Sequence, residues 1–312
     1  MATYVWDNSE ADGDTTVAAN WTPPGPPGDG DTVIFPAWAT GNVTGNADFP
    51  AGSVPGVGFA KVVIEEGVTY DIGSRATPLE LWMDKESNTG LWIGGTGTYF
   101  LSPKDYAQIT ITEAGSAPAD GKYACNIVAA LLDGSPTGAI HICCESNQSV
   151  GIAAEANTLA EVNALYIYGG DVTVGSGATL NDAASAFPLV ISGGDVKTSC
   201  ALTAVMQTGG EWTHLAGAIA TPVLSGGTLN YNGTGTIATL TIRAGGIFDT
   251  SQQVGSATFT ITNPIEMYSG ATIIDTNKAA TAGLIIDLNQ CGIDDVNLDL
   301  GENLRITRGS VA

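Results

Sequence analysis

Positive charge is scarce in this sequence. Ten Lys and Arg stand against 32 Asp and Glu, a formal net charge of −22 over 312 residues. Affinity for nucleic acid rests on Lys and Arg contacts to phosphate, and an anionic membrane surface repels acidic protein, so neither partner is expected. No apolar run approaches the length of a membrane span. The opening, Met1-Ala-Thr-Tyr-Val-Trp6, lacks a basic stretch followed by an apolar one. It reads as no secretion signal, and synthesis in a cytoplasm is the expectation. Gly-x-Ser-x-Gly and Gly-x-x-x-x-Gly-Lys motifs are both missing, which removes the commonest hydrolase elbow and the phosphate-binding loop.

Cysteine is also sparse. Cys125, Cys143, Cys144, Cys200 and Cys291 have no metal-ligand spacing, and an odd set with one adjacent pair is a poor disulfide framework. They read as buried free thiols. Good helix formers such as Glu, Lys, Gln and Arg are few, whereas β-branched residues are plentiful. The chain therefore reads as all-β.

What is present is a degenerate repeat. Short alternating apolar runs end in a Gly-Gly doublet and are followed by a second short run, as in Leu165-Tyr-Ile-Tyr-Gly169-Gly170-Asp-Val and Leu189-Val-Ile-Ser-Gly193-Gly194-Asp-Val. Weaker copies close at Gly209-Gly210, Gly226-Gly227 and Gly245-Gly246, so successive first glycines are 24, 16, 17 and 19 residues apart. Those steps are too short for a βαβ unit and suit one turn of a right-handed parallel β-helix or β-solenoid, with glycine at the corners. Leu165, Ile167, Leu189, Ile191, Leu240 and Ile242 are expected to face its interior. The segment Ala153–Val162 has helical composition and is read as one helical turn.

Residues 1–50 differ in holding Trp6, Trp21 and Trp38 around the loop Pro23-Pro24-Gly25-Pro26-Pro27. Proline cannot donate to a strand ladder, so this segment belongs over an end or edge. It is read as a Trp/Pro-rich N-terminal cap and attachment segment, and residues 51–312 as the solenoid. Tryptophans are common interface anchors, so Trp6, Trp21, Pro23, Pro24, Pro26, Pro27 and Trp38 are the candidate interface residues.

The opening Asn20-Trp21…Pro27-Gly28-Asp29-Gly30-Asp31-Thr-Val33-Ile34, followed by apolar-x-apolar-x-Gly-Gly runs, resembles two groups of β-helical proteins. One is the secreted bacterial proteins related to autotransporter passenger domains; the other is the virion structural proteins of tailed phages. The expected absence of a secretion signal favours the phage group. That resemblance implies a non-enzymatic virion protein, a decoration or cement subunit on the outside of a phage head. Its partners would be the major capsid protein or another shell protein and further copies of itself, with a trimer the expected oligomer. The alternative is a tail fibre, spike or adhesin-like β-helix that binds host-surface polysaccharide and possesses, in one variant, glycan-cleaving activity.

No catalytic, cofactor or metal site is assigned. His141 and His214 stand alone, and His141, between Ile140 and Ile142, is expected on the outer face of a strand. Asp171, Asp195 and Glu211 follow equivalent doublets and form a candidate acidic ladder, weighed as glycosidase carboxylates against ordinary polar corner residues. A polysaccharide lyase would also want cations, and between 162 and 288 only Lys197, Arg243 and Lys278 are available. Asp12-Gly-Asp14 and Asp29-Gly-Asp31 are acidic turns without the rest of a Ca²⁺ loop. Asn20-Trp-Thr22 and Asn232-Gly-Thr234 match glycosylation acceptors but carry no weight without secretion.

Overall fold

The computed structural model describes residues 2–45, 49–51, 57–84, 90–105, 108–117, 123–131, 139–155, 158–180, 186–253, 259–275, 284–289 and 291–300. Lys278, the loop beyond Ala117 as far as Gly121 and the alternating end after Leu300 lie outside them. With 47% strand and 2% helix the protein is all-β. Among the described residues no helix is long and apolar enough to cross a membrane. The chain divides into two compact units, residues 1–184 and 185–312.

In the first unit, strands alternate along the chain between two parallel ladders. Gly90–Ile93, Gln108–Ile111, Ala139–Cys143 and Ala164–Gly169 join one ladder, while Tyr99–Asp105, Cys125–Ile127, Ser149–Ile152 and Asp171–Val174 join the other. The cause is the period-two alternation. In the first ladder Val33, Val62, Leu91, Ile109, Ile140 and Leu165 are successive register partners and all are buried. Two residues on, Phe35, Ile64, Ile93, Ile111, Ile142 and Ile167 form a second buried column. β-branched side chains stack well on the same chain face, and each such burial contributes roughly 1.5–3 kcal/mol.

Residues 1–50 are woven into this ladder. Thr3–Trp6 pairs parallel with Thr32–Phe35, which pairs along its length with Lys61–Ile64. The far side of Thr3–Trp6 is covered by the two-residue antiparallel strand Trp21–Thr22. Pro23 and Pro24 follow at once, and a proline has no N–H with which to extend a sheet edge. Trp6, Trp21, Phe35, Phe49 and Phe59 interlock beneath this end, Trp6 edge-on to Trp21 at 5.0 Å and Phe49 edge-on to Phe59 at 4.7 Å. Trp21 Nε1 donates to the carbonyl of Thr15 at 2.9 Å.

The second unit alternates in the same way. Leu202–Gln207, Ile219–Leu224, Thr241–Ile242 and Ile265–Met267 form one ladder, and Glu211–His214, Gly227–Tyr231, Gly246–Asp249 and Thr272–Ile274 the other. The doublets Gly209-Gly210 and Gly226-Gly227 lie at or beside the corners between strands of the two ladders. Gly210 has φ +73°, and a Cβ on it would lie 2.7 Å from the backbone of Gly193 and Gly194. The corner therefore needs glycine twice over, for the left-handed backbone and for the contact with the previous corner. All six residues expected inside, Leu165, Ile167, Leu189, Ile191, Leu240 and Ile242, are fully buried.

One expectation is overturned. Leu159–Val162 is a strand, not part of a helical turn; it pairs in parallel with Ala129–Leu131 on one side and Ala178–Leu180 on the other. Ala160 and Val162 are buried by that pairing. A short helix is marginal in water, and two flanking ladders outweigh a few tenths of a kcal/mol per residue of propensity.

Candidate functional site

The seven candidate interface residues divide by burial. Trp6 and Trp21 are 0% and 1% exposed, and Pro27 is buried, so these three serve the interior. Trp38 is 64% exposed, and Pro23, Pro24 and Pro26 are exposed. The loop that carries Trp38 is tied at its base. Ala37 N donates to Glu65 Oε2 at 3.2 Å, and the Tyr70 hydroxyl donates to the Pro36 carbonyl at 3.2 Å. Trp38 is thus an exposed indole on a held loop.

A second group of exposed aromatics lies on the outer face of the first ladder. Val63, Trp92, Thr110, His141 and Tyr166 are successive register partners. Their neighbours in sequence on either side, such as Leu91 and Ile93, face the core, so strand alternation turns this row outward. Trp92 is 37% exposed, and the Lys61 ammonium lies 4.4 Å from its ring centroid. An open depression of about 610 Å³ surrounds this pair, lined also by Glu65, Glu66, Gly94 and Thr112. His141 stacks on Tyr166 at 4.8 Å and 13°, and lies nearly parallel to Tyr168 at 6.3 Å and 7°. Tyr168 is the extra residue of a bulge, because Ile142 pairs with Ile167 but Cys143 with Gly169. Partial burial holds the His141 imidazole below its usual range.

His214 occupies a different setting. It is fully buried, its Nε2–H donates to the Gly217 carbonyl at 3.0 Å, and its Nδ1 shares a hydrogen bond with Thr198 Oγ1 at 2.8 Å. Thr198 Oγ1 in turn accepts from Trp212 Nε1 at 2.9 Å. Burial pushes the His214 pKa below the usual value and so favours the neutral imidazole, whose Nδ1 then accepts from the Thr198 hydroxyl. The ring stacks on Tyr231 at 5.4 Å. No substrate could reach it without opening the core.

The remaining candidates fall into place as local structure. Asp195 and Glu211 are register partners; Lys197 lies 3.6 Å from Asp195, and Asn230 Nδ2 donates to Glu211 Oε1 at 2.6 Å. Asp171 is a register partner of Ser149. Asp12 Oδ1 accepts from Asp14 N and Asn20 Nδ2, and Asp31 accepts from Ala2 N and Gly28 N. Those carboxylates organise their own turns, and among the described residues no group of three or more His, Cys, Asp or Glu is placed to hold a metal ion. Asn20 is fully buried, whereas Asn232 is half-buried. Cys125, Cys144 and Cys200 are buried thiols, and burial pushes Cys144 up to about 12 and Cys200 up to about 11. Cys143 and Cys291 depart from the expectation: Cys291 is half-buried, and Cys143 is exposed because the strand turns it outward one residue after inward-facing Ile142.

Comparison with protein-family models, curated proteins and solved structures found no match for this chain. Sequence reasoning passed over Trp92, Tyr166 and Tyr168, although the signal was there. Leu91-Trp92-Ile93 and Leu165-Tyr166-Ile167-Tyr168 put large aromatics at the positions that alternation sends outward.

Proposed function

We propose that this chain is a non-enzymatic structural protein of a virion surface, a decoration or cement subunit, whose two units are each built of right-handed β-solenoid turns. The alternating parallel ladders and the stacked glycine corners support the solenoid. The short antiparallel strand at Trp21–Thr22 and the prolines after it support the cap, because they close the edge on which another chain could add. A surface carrying a net charge of −22 keeps such a repetitive β protein from associating edge to edge.

The observation that carries attachment is Trp38, an indole 64% exposed on a loop held by Glu65 and Tyr70. A pre-ordered aromatic loses little freedom on docking, and the exposed prolines of the same segment lose less still. The partner would be the major capsid protein or another shell protein, and the bound form a trimer. The chain would be made in the host cytoplasm and join the particle there.

The test is a binding assay with particles that lack the protein, using Trp38→Ala and a Pro23→Ser/Pro24→Ser/Pro26→Ser variant. All these side chains are exposed, and circular dichroism checks that the fold is kept. Occupancy of the particles should fall by about tenfold or more for Trp38→Ala, as for a loss near 1.4 kcal/mol. Full occupancy by both variants would remove this segment from the attachment surface, and no binding by the native chain would remove the virion reading.

A further inference from the structure

Asn232-Gly233 is the one Asn-Gly pair in the sequence, and it opens the turn that follows strand Gly227–Tyr231. Such a pair is reactive by type. Glycine has no Cβ to keep its backbone nitrogen away from the carboxamide carbon of the residue before it. What a fold adds is a hold on those two groups, or none. At Asp12-Gly13 the Gly13 N–H donates to Asn8 Oδ1 at 3.0 Å, and at Asp29-Gly30 the Gly30 N–H donates to the Gly58 carbonyl at 2.7 Å. Both nitrogens are engaged there. Asp120-Gly121 and Asp133-Gly134 lie outside the described residues. At Asn232-Gly233 neither group is held. Among the described residues the Gly233 N–H donates to no acceptor, and Asn232 Oδ1 is buried with no hydrogen-bond partner. A buried carbonyl without a donor gains nothing by staying where it is. Asn232 as a whole is half-buried and Thr234 is exposed, so water and hydroxide reach the turn.

We infer that Asn232 is a self-modification site, which deamidates in the folded chain and thereby loosens the second unit around His214. Hydroxide removes the Gly233 amide proton, and the nitrogen attacks Asn232 Cγ. The adduct expels Nδ2, which leaves as ammonia after taking a proton from water, and a five-membered imide closes. Water then opens the imide on one side or the other. Cleavage of the new Cγ–N bond leaves an aspartyl residue; cleavage of the old backbone C–N bond leaves an isoaspartyl one, with the chain running through the side-chain methylene. The sum is one water taken up and one ammonia released, with nothing oxidised or reduced. The turn is packed where this happens. A Cβ on Gly233 would stand 3.4 Å from His214 Cδ2 and from the Leu215 carbonyl oxygen, and Gln253 Nε2 donates to the Gly233 carbonyl at 2.7 Å. The isoaspartyl form adds a backbone carbon in that space. Both forms put a carboxylate beside the stacked rings of His214 and Tyr231, where a charge is costly to desolvate. The site acts as a timer, its rate set by pH and its product a weaker corner.

The experiment ages the full-length protein in native buffer at pH 6.5 and pH 8.5. Isoelectric focusing counts the charge gained, and peptide mapping with isoaspartyl methyltransferase labelling places it. An acidic species modified at Asn232 is expected, forming roughly tenfold or more faster at the higher pH because more of the amide is deprotonated there. Asn232→Gln should abolish it, since a glutamine must close a six-membered ring. Gly233→Ala, whose added Cβ meets only ordinary contacts, should slow it by about tenfold. Circular dichroism checks the fold of both variants. In the aged native chain, peptides around Trp212 and Leu229 should exchange hydrogen faster, and those from residues 1–184 should not. Conversion only after denaturation, an acidic species with Asn232 intact, or one that forms as fast in Asn232→Gln would overturn the inference. So would aged protein fully converted at Asn232 whose second unit exchanges as before. None of these outcomes depends on whether particles bind through Trp38.

Discussion

In the first unit the interior column Phe35, Ile64, Ile93, Ile111, Ile142, Ile167 contains no polar atom, whereas in the second the column Thr198, His214, Tyr231 carries one on every side chain. Both columns are made the same way, by parallel register that sets equivalent positions one strand spacing apart. The apolar column gains stability from burial and ring packing and is indifferent to pH. Thr198 and His214 are held in the polar one because register also delivers partners: Thr198 meets His214 from the adjacent strand, and Trp212 meets Thr198 from that same neighbour. A ladder can therefore carry a buried polar group where the next strand completes its bonds, and there it acquires a protonation state to defend.

Three measurements would break or sharpen that contrast. The largest effect belongs to the aromatic base of the first unit. Trp21→Ala removes a buried indole in contact with Trp6, Phe35 and Phe49, and should cost about 3–5 kcal/mol. Hydrogen exchange read by mass spectrometry should show faster exchange in peptides from residues 1–184 and little change in those around Trp212 and Leu229. Equal acceleration in both units would mean that they unfold as one.

The second effect is acid sensitivity of the second unit. The folded pKa of His214 lies below its unfolded value, so the unfolded chain binds more protons in the window beneath about 6.5. Stability is then fully present above that pH and falls as pH drops, by up to about 1.4 kcal/mol per pH unit until the folded value is reached. His141 shifts in the same direction, but it is only half-buried on an outer face and water screens it, so the first unit should respond less. Denaturant midpoints at pH 7.5 and 5.5 for the native chain and for His214→Gln would isolate the term. A native slope identical to that of the variant would show that His214 does not titrate on unfolding.

The smallest effect tests the apolar column. Ile142→Val deletes one methylene from a fully buried position and should cost about 1 kcal/mol, with no dependence on pH between 5.5 and 7.5. A pH-dependent cost would mean that the column is coupled to His141, its neighbour in sequence.

Much of this protein was legible in its residues one segment at a time. Alternation in Leu165-Tyr-Ile, Leu189-Val-Ile and Leu240-Thr-Ile determined which side chains point inward, because successive Cβ atoms leave a strand on opposite faces. The Gly-Gly doublets determined corners, because Gly210 and its equivalents need a backbone that residues with a Cβ rarely adopt. What those local rules could not decide was which segments become neighbours. Trp6, Trp21 and Trp38 are the same residue in one short stretch, yet two are buried and one is exposed, because Phe35 packs on both of the first two and Phe49 on Trp21. Ala153–Val162 had the composition of a helical turn and its last residues became a strand once ladders stood on both sides. Trp92, Thr110, His141 and Tyr166 are separated by 18, 31 and 25 residues and align only through parallel register. Alternation says that a side chain faces outward; the pairing of distant strands decides what stands beside it.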